Sequence, residues 1–389
     1  MKLRKRIMKN MVFAALCSSL FIIGAGAGSS YAAQAPAPSK APAETIDAAT
    51  LSNKWDKTFP ENAKVAHQKI TFHNRYGITL VGDLYTPKNM KQGEKLAAIA
   101  VAGPYGAVKE QVSGRYAQEL AARGFITLAF DPSFTGESAG EPRNTTSPDI
   151  NTEDFSAAVD YLSTRNNIAP EKIGILGICG WGGMALNAAS MDTRVKAVAT
   201  SVMYDMSRAM GHGVGDGKDR NSTSDRHAVL QYLNAQRWKD AENGTFAHGG
   251  HDIYVDENGK VTAAERILPE ALPYNPNPVL KEFFDYYRMP RGFHARSVNS
   301  TGAWTATTPL SFMNMPLLSY GREITIPTLI VTGEKAHSRY FAEDAFKAVG
   351  SKQKELVIVP GANHVDLYDN AAGKIPFGQF EQFFKTYLK

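Results

Sequence analysis

The sequence has 389 residues, of which 43% are hydrophobic, with 43 Lys and Arg against 38 Asp and Glu and 2 cysteines. This length accommodates one large domain or two smaller ones, and the small charge excess excludes the strongly basic balance typical of nucleic-acid-binding proteins. So few cysteines also exclude the dense disulfide framework of small secreted domains.

The first 32 residues are predicted to be a secretory signal peptide. Five basic side chains precede the apolar run MVFAALCSSLFIIGAGAG, and the small residues Ser30 and Ala32 suit a cleavage site after Ala32. A retained membrane anchor is the alternative, but no stop-transfer pattern follows the run. Removing the segment lowers the 43 basic residues by these five, to 38, which equals the 38 acidic residues. We therefore expect an exported, near-neutral protein with no nucleic-acid partner and no stable membrane insertion.

Residues 33–60 are rich in Ala and Pro at their start and are predicted to form a linker. The stretch KITFHNRYGITLVGDLYTP then predicts a β-hairpin that turns at NRYG. From LAAIAVAG onward, apolar strands alternate with helical segments, as in FITLAFDP followed by DFSAAVDYLSTR, and KIGILGIC followed by GWGGMALNAAS. This alternation predicts a mostly parallel, doubly wound α/β sheet, whose first part covers residues 61–205.

The alternation stops over residues 206–320, which are rich in Gly, Asn, Pro and aromatic residues. It resumes over residues 321–389 with TIPTLIVTGE, KELVIVPGANH and a last helix, FGQFEQFFKTYLK. A long insertion between two strands of one sheet predicts a cap over the carboxyl ends of the strands, where such sheets bind ligands.

Two segments compete as the site of a nucleophile. GESAG, with Ser138 at its centre, matches the G-x-S-x-G pattern, but Pro142 and turn-forming residues stand where a helix should begin. Cys179 instead lies between an apolar strand and a helix, with Gly177 before it and Gly180 after it. We favour Cys179 over Ser138, because a nucleophile on a strand-turn-helix elbow is exposed and the helix N-terminus favours a thiolate. A buried structural cysteine is the alternative. The mature chain would, however, keep this single thiol in an oxidising compartment, which slightly favours a functional role.

This arrangement resembles the α/β-hydrolase superfamily, in particular its dienelactone-hydrolase-like branch, in which cysteine replaces the usual serine. The resemblance covers most of residues 65–389 apart from the cap. One departure is Trp181, which stands where glycine is usual; its indole must either enter the pocket or be accommodated by the neighbouring glycines.

The resemblance implies a histidine after the last strand and an acid after an earlier one. His364, in the loop after ELVIVP, fits the position of the base. For the acid, Glu334 is our first choice and Asp205 and Asp344 are alternatives, because Ala336 stands where the aspartate is expected. His337 beside this loop either orients substrate or is a solvated loop residue.

The backbone N–H groups of Gly180 and Tyr105 are predicted to form an oxyanion hole, because Pro104 has no N–H. The nearby Lys109, Glu110 and Gln111 either anchor that loop or simply open the next helix. These residues predict an exported hydrolase that cleaves a small-molecule ester, lactone or thioester through an acyl-cysteine. A peptidase of the same fold is the enzymatic alternative. The non-enzymatic alternative is a protein that binds a ligand or senses oxidants through its thiol.

Neither of two weaker patterns predicts a metal site. Residues 254–265, YVDENGKVTAAE, match part of a calcium-binding loop, but Tyr254 stands where the first aspartate belongs, and a hairpin turning at Asn258-Gly259 is simpler. His248, His251 and Asp252 in HGGHD match no firm zinc spacing. We predict no metal and no cofactor, and the sequence leaves the oligomeric state open.

Overall fold

The computed structural model describes residues 46–52, 54–215 and 217–389. The predicted signal peptide and the Ala/Pro-rich start of the predicted linker lie outside the described residues. The last linker residues contact the core: the N–H of Thr58 donates to the carbonyl of Glu110 at 2.9 Å, and Phe59 is buried.

A mixed sheet of eight strands carries the fold. Its strands are β1 (Val65–His73), β2 (Thr79–Pro87), β3 (Leu96–Ala102), β4 (Ile126–Phe130), β5 (Ile168–Ile178), β6 (Val195–Ser201), β11 (Thr328–Gly333) and β12 (Lys354–Val359). Their spatial order is β1-β2-β4-β3-β5-β6-β11-β12. β1 and β2 form the predicted antiparallel hairpin, β2 pairs antiparallel with β4, and all other neighbours are parallel.

The helices of the α/β part are α1 (Val112–Ala122), α2 (Pro148–Ser163), α3 (Gly180–Met191), α9 (Arg339–Ala348) and α10 (Phe377–Tyr387). α1 packs with α10, and α2 packs with α3. The sheet order and the N-terminal antiparallel strands are those of the α/β-hydrolase fold, so the predicted fold class is confirmed. Strands β3, β5, β6, β11 and β12 run parallel, and their carboxyl ends therefore meet at the same edge of the sheet.

The described residues between β6 and β11 form elements outside the eight-stranded sheet. These are α4 (Met206–His212), α5 (Thr223–Asn243), β7 (His248–Gly249), β8 (Ile253–Val255), β9 (Val261–Ala263), α6 (Pro278–Tyr287), α7 (Val298–Thr301), β10 (Trp304–Thr305) and α8 (Pro309–Met313). β8 and β9 are antiparallel and join through residues 256–260, which confirms the hairpin predicted for the calcium-loop-like segment. Among the described residues, no helix has the length and apolarity needed to cross a membrane.

Candidate active site at the carboxyl edge of the sheet

Cys179 occupies a sharp turn between β5 and α3. Its φ of 55° and ψ of −127° lie outside the regions that L-residues ordinarily adopt, which is the strained conformation of a nucleophile elbow. The turn requires glycine on either side. A Cβ on Gly177 would lie 2.2 Å from the carbonyl oxygen of Trp181, and one on Gly182 would lie 2.4 Å from Cβ of Met203. The glycines therefore let α3 start close against the sheet.

Trp181 points away from the site. Its indole is buried and packs edge-to-face against Phe130 and Phe155, with ring centroids 5.9 and 5.5 Å apart. Trp181, the second residue after Cys179, thus contributes to the core between the sheet and α2. Of the two expectations for this indole, the structure shows the second, accommodation outside the pocket.

Two backbone N–H groups face the sulfur of Cys179, those of Gly180 and Tyr105. These are the two donors that the sequence predicts. The Tyr105 loop is fixed from the inserted region: the Asn299 side-chain amide donates to the carbonyl of Tyr105 at 2.7 Å, and the Ser297 hydroxyl donates to that of Gly106 at 2.9 Å. Because both donors belong to held backbone, they are oriented before any substrate arrives.

The side chain of Tyr105 packs against the inserted region, and only its backbone N–H faces the sulfur of Cys179. Its hydroxyl shares a hydrogen bond with Thr146 at 3.1 Å, and its ring lies 4.5 Å from that of Trp304. The inserted region thus contacts both the backbone and the ring of this residue.

His364 follows β12 and is buried. Its Nδ1 lies 2.7 Å from the hydroxyl of Ser338, and its Nε2 lies 3.0 Å from the hydroxyl of Tyr368. The same Tyr368 hydroxyl lowers the pKa of the Cys179 thiol, and both residues line one cavity. The structure thus brings Cys179 and His364 to one site, with Tyr368 beside both.

None of the three predicted acids is the partner of His364. Glu334 accepts the N–H of Gly361 at 2.7 Å. Asp205 caps α4 by accepting the N–H of Arg208 at 3.1 Å. Asp344 pairs with Arg208 at 2.8 Å and with Lys347 at 2.9 Å.

A hydroxyl, rather than one of the predicted carboxylates, lies against Nδ1 of His364. Ser338, two residues beyond Ala336, faces Nδ1 of His364 and is fully buried. The sequence analysis considered only carboxylates as the partner of His364 and therefore missed Ser338. It could have been found only by asking which polar residue of the loop can reach the imidazole. Tyr368 was missed as well, because a tyrosine four residues after a histidine carries no motif of its own.

Burial sets the charge of both Cys179 and His364. It raises the pKa of the Cys179 thiol to about 11, although the Tyr368 hydroxyl and the N–H groups of Gly180 and Tyr105 act in the opposite direction. Burial, together with neighbouring His337, holds the pKa of His364 well below its ordinary value. At neutral pH the pair is therefore a thiol beside a neutral imidazole. The thiolate expected from the helix N-terminus does not prevail, because desolvation outweighs the nearby dipoles.

A cavity of about 1090 Å³ opens in front of Cys179. One side consists of core residues after the strands, and the other belongs to the inserted region. Its lining includes the aromatic and apolar residues Tyr204, Leu280, Phe283, Tyr287 and Tyr340, together with charged residues such as Asp252, Glu282 and Lys335. The cavity thus combines apolar surface with charged groups.

His337 forms part of this cavity wall rather than a solvated loop. Its Nε2 hydrogen-bonds to the hydroxyl of Tyr204, and its buried Nδ1 has no hydrogen-bond partner in the part of the chain that the structure describes. Burial lowers the pKa of His337 to about 4. The ring is therefore neutral at physiological pH.

Lys109 and Glu110 belong to a buried ionic cluster behind the Tyr105 loop. The ammonium of Lys109 lies 2.7 Å from Glu110 and 2.9 Å from Asp131, and it also contacts Glu137. These three carboxylates form a group close enough to share a metal ion. The ammonium of Lys109 donates to each of them, Lys69 also pairs with Glu137 at 2.8 Å, and Arg296 pairs with Glu110 at 2.8 Å. Three side-chain cations thus face the three carboxylates, and the cluster anchors the loop.

Ser138 has a structural role in a neighbouring loop. Its hydroxyl donates to the carbonyl of Asp131 at 2.7 Å and accepts the N–H of Val81 at 2.8 Å. No helix follows it, since α2 begins only at Pro148. The interpretation of GESAG as a loop is confirmed. In HGGHD, His251 packs against Tyr105 at the cavity, whereas His248 is exposed.

Comparison with known proteins identifies related sequences. The family model described as X-Pro dipeptidyl-peptidase (S15 family) matches residues 76–366. The uncharacterised protein PA2218 of Pseudomonas aeruginosa is 55% identical over 339 residues, which cover 87% of this chain and 85% of that protein. Its crystal structure superposes with a TM-score of 0.80 at 54% identity, over 88% of this chain and 100% of that one.

Two further relatives are more distant. The uncharacterised protein YcjY of Escherichia coli is 33% identical over 309 residues, which cover 79% of this chain and 94% of that protein. The thiohydrolase aneE of Aspergillus aculeatus is 34% identical over 139 residues, which cover 36% of this chain and 42% of that protein. The family model that matches is thus S15, whereas the sequence resemblance pointed to the dienelactone-hydrolase-like branch.

Proposed function

Because the chain belongs to the X-Pro dipeptidyl-peptidase (S15) family of α/β hydrolases, we propose that it hydrolyses esters, lactones or thioesters through an acyl-enzyme on Cys179. The observation that carries this proposal is the placement of Cys179 on the elbow between β5 and α3, with the N–H groups of Gly180 and Tyr105 facing its sulfur. A carbonyl carbon attached to Sγ would leave its oxygen within reach of the same two donors.

In the proposed reaction, His364 is the base. As Sγ bonds to the carbonyl carbon, the thiol proton passes toward Nε2 of His364, and the carbonyl electron pair moves to the oxygen held by the two N–H groups. Collapse of this intermediate expels the leaving group, which takes the proton from His364. A water molecule then attacks the acyl-cysteine by the reverse sequence and releases the acid.

The chemistry of the thiol favours activated carbonyls. A thiolate is itself readily expelled from a tetrahedral intermediate, so acyl transfer proceeds when the competing leaving group is at least as good. Alkoxides of activated esters, ring-opened lactones and thiolates satisfy this condition better than amines. The thiohydrolase name of one relative and the apolar residues of the cavity lining support the same substrate class.

Peptide cleavage is the second candidate, and the description of the family favours it. Alanyl-prolyl-p-nitroanilide tests it against p-nitrophenyl butyrate and a butyryl thioester. Our proposal expects turnover of the ester and the thioester with kcat/KM at least 100-fold above that of the anilide. The reverse order would establish a peptidase, and absence of turnover on all three would favour a non-catalytic binding or oxidant-sensing protein.

The nucleophile is tested by the same assays on Cys179→Ala and His364→Gln, with His73→Gln as a matched control at an exposed histidine of β1. We expect the first two variants to lose activity by at least about 10³-fold, as typically follows removal of a nucleophile or its base, and the control to retain it. Full activity in Cys179→Ala would refute the proposal.

Export is proposed on the sequence alone, from the charged and apolar pattern of residues 1–32. N-terminal sequencing of the mature protein tests it, with Ala33 as the expected first residue. An intact Met1 in the mature protein would refute cleavage.

A further inference from the structure

The phenol of Tyr368 sits at the junction of the two proposed reacting groups. Its hydroxyl is 3.0 Å from Nε2 of His364, it lines the same cavity as Cys179, and it lowers the pKa of the Cys179 thiol. Both partners and the tyrosine itself are buried. A buried phenol O–H requires a hydrogen-bond partner, and here the groups that provide one are the thiol and the imidazole.

The ring of Tyr368 is fixed by its neighbours. Tyr286 packs edge-to-face against it at 5.2 Å, Tyr287 at 6.1 Å, and the imidazole of His364 at 5.3 Å. The residue follows a short 3-10 turn, Val365–Leu367, which starts directly after His364. The base and the phenol are thus carried on one local unit, and the ring contacts hold the hydroxyl against Nε2 of His364.

We propose that Tyr368 is a catalytic residue that relays the proton of the Cys179 thiol to Nε2 of His364, a proposal that rests on the hydrolase function proposed above. In the acylation step the S–H bond breaks and its proton joins the phenol oxygen. The phenol's own proton moves to Nε2, while Sγ bonds to the carbonyl carbon and the carbonyl electron pair shifts to the oxygen. Tyr368 ends the step neutral and unchanged, and His364 ends it as imidazolium.

Ser338 makes this direction of transfer possible. The relay requires the tautomer of His364 in which Nδ1 carries the proton and Nε2 accepts. The hydroxyl of Ser338 lies 2.7 Å from Nδ1 and can accept a hydrogen bond from this N–H group. A hydroxyl also donates, so it holds the tautomer less firmly than a carboxylate would.

Tyr368→Phe tests the relay by removing one oxygen while keeping the ring. Tyr85→Phe is the matched control, since Tyr85 is a buried tyrosine of β2 whose hydroxyl has no hydrogen-bond partner among the described residues. We expect Tyr368→Phe to lower kcat/KM for p-nitrophenyl butyrate by about 100-fold, the lower range for loss of a proton-transfer group, and Tyr85→Phe to leave it unchanged. Activity of Tyr368→Phe within threefold of wild type would overturn the relay.

A second measurement needs only the wild type. The pre-steady-state release of p-nitrophenol is followed in mixtures of H₂O and D₂O. Two protons in flight give a bowed dependence of the acylation rate on the deuterium fraction, whereas a direct transfer from sulfur to nitrogen gives a straight line. A bowed plot supports the relay and a straight one overturns it, even where Tyr368→Phe fails to fold. Failure of the hydrolase proposal is distinct, because the wild type would then show no turnover of the ester, or Cys179→Ala would keep the activity.

Discussion

The pH dependence of Cys179 alkylation gives a direct measure of what burial does at the elbow. The sulfur is enclosed by the protein, and desolvation raises the pKa of this thiol to about 11 from an ordinary value near 9. Iodoacetamide reacts with the thiolate, so the rate of labelling follows the ionised fraction. The expected midpoint in the native protein therefore lies near pH 11.

The same residue in the unfolded chain supplies the reference. A difference of about two pKa units means that, below pH 8, the native thiol is ionised about 100-fold less than the unfolded one. The assay labels native and urea-unfolded protein for short times between pH 6 and 11.5. The peptide that contains Cys179 is then quantified by mass spectrometry, which separates it from Cys17. Circular dichroism at each pH verifies that the native sample stays folded.

Two variants separate the contributions. Tyr368→Phe removes a donor that lowers the pKa of the thiol, so its midpoint should move to still higher pH. His364→Gln should move it little, because the imidazole is neutral and bonds to Tyr368 rather than to sulfur. A native midpoint below that of the unfolded chain would refute the reasoning, since it would mean that a thiolate–imidazolium pair or the helix N-terminus outweighs desolvation.

Three further predictions concern single side chains. Ser138→Ala leaves the N–H of Val81 and a buried carbonyl without their partner, and should lower the free energy of unfolding in urea by about 1–3 kcal/mol with kcat/KM changed less than threefold. Ser338→Ala frees Nδ1 of His364 and should lower kcat about tenfold with KM unchanged, in p-nitrophenyl butyrate assays; an unchanged kcat would deny Ser338 a role in orienting the base. Burial lowers the pKa of His337 to about 4, so below pH 6.5 the unfolded chain binds a proton here that the native chain does not, and the free energy of unfolding falls by roughly 3 kcal/mol by pH 4. His337→Gln should reduce this loss by the same amount in urea unfolding. An unchanged difference in the free energy of unfolding between pH 7 and pH 4 would contradict the prediction.

The parts of the molecule that follow from local pattern were predictable. Alternating apolar strands and helices indicated the sheet, and the glycines around Cys179 indicated an elbow, because a strained turn between strand and helix has local requirements. The same reasoning separated Ser138 from Cys179, since Pro142 and the turn-formers after Ser138 exclude a helix there. The placement of Gly180 and Tyr105 beside Cys179 followed as well, because each comes shortly after the end of a strand, and their role as oxyanion donors stays a prediction.

The surroundings of His364 depend on contacts between distant segments, and these were not predictable. Ser338 and Tyr368 reach the imidazole only because β11 and β12 are neighbours in the sheet and the turn after His364 folds back. The charge of the thiol was misjudged for a related reason. A helix N-terminus can be recognised in the sequence, whereas the desolvation that outweighs it arises from the packing of the whole chain.

In the proposed mechanism, the hydroxyl at residue 338 and the thiol at residue 179 are mutually consistent departures from a Ser-His-acid triad. A carboxylate on Nδ1 stabilises the imidazolium that forms when the base takes a proton, and a serine nucleophile depends on that help because its hydroxyl is a very weak acid. A thiol ionises far more readily, even with its pKa raised to about 11, so a hydroxyl partner suffices for the base. On this reasoning Cys179→Ser would combine the weaker acid with the weaker base, and it would be nearly as inactive as Cys179→Ala although the substitution restores the commoner nucleophile.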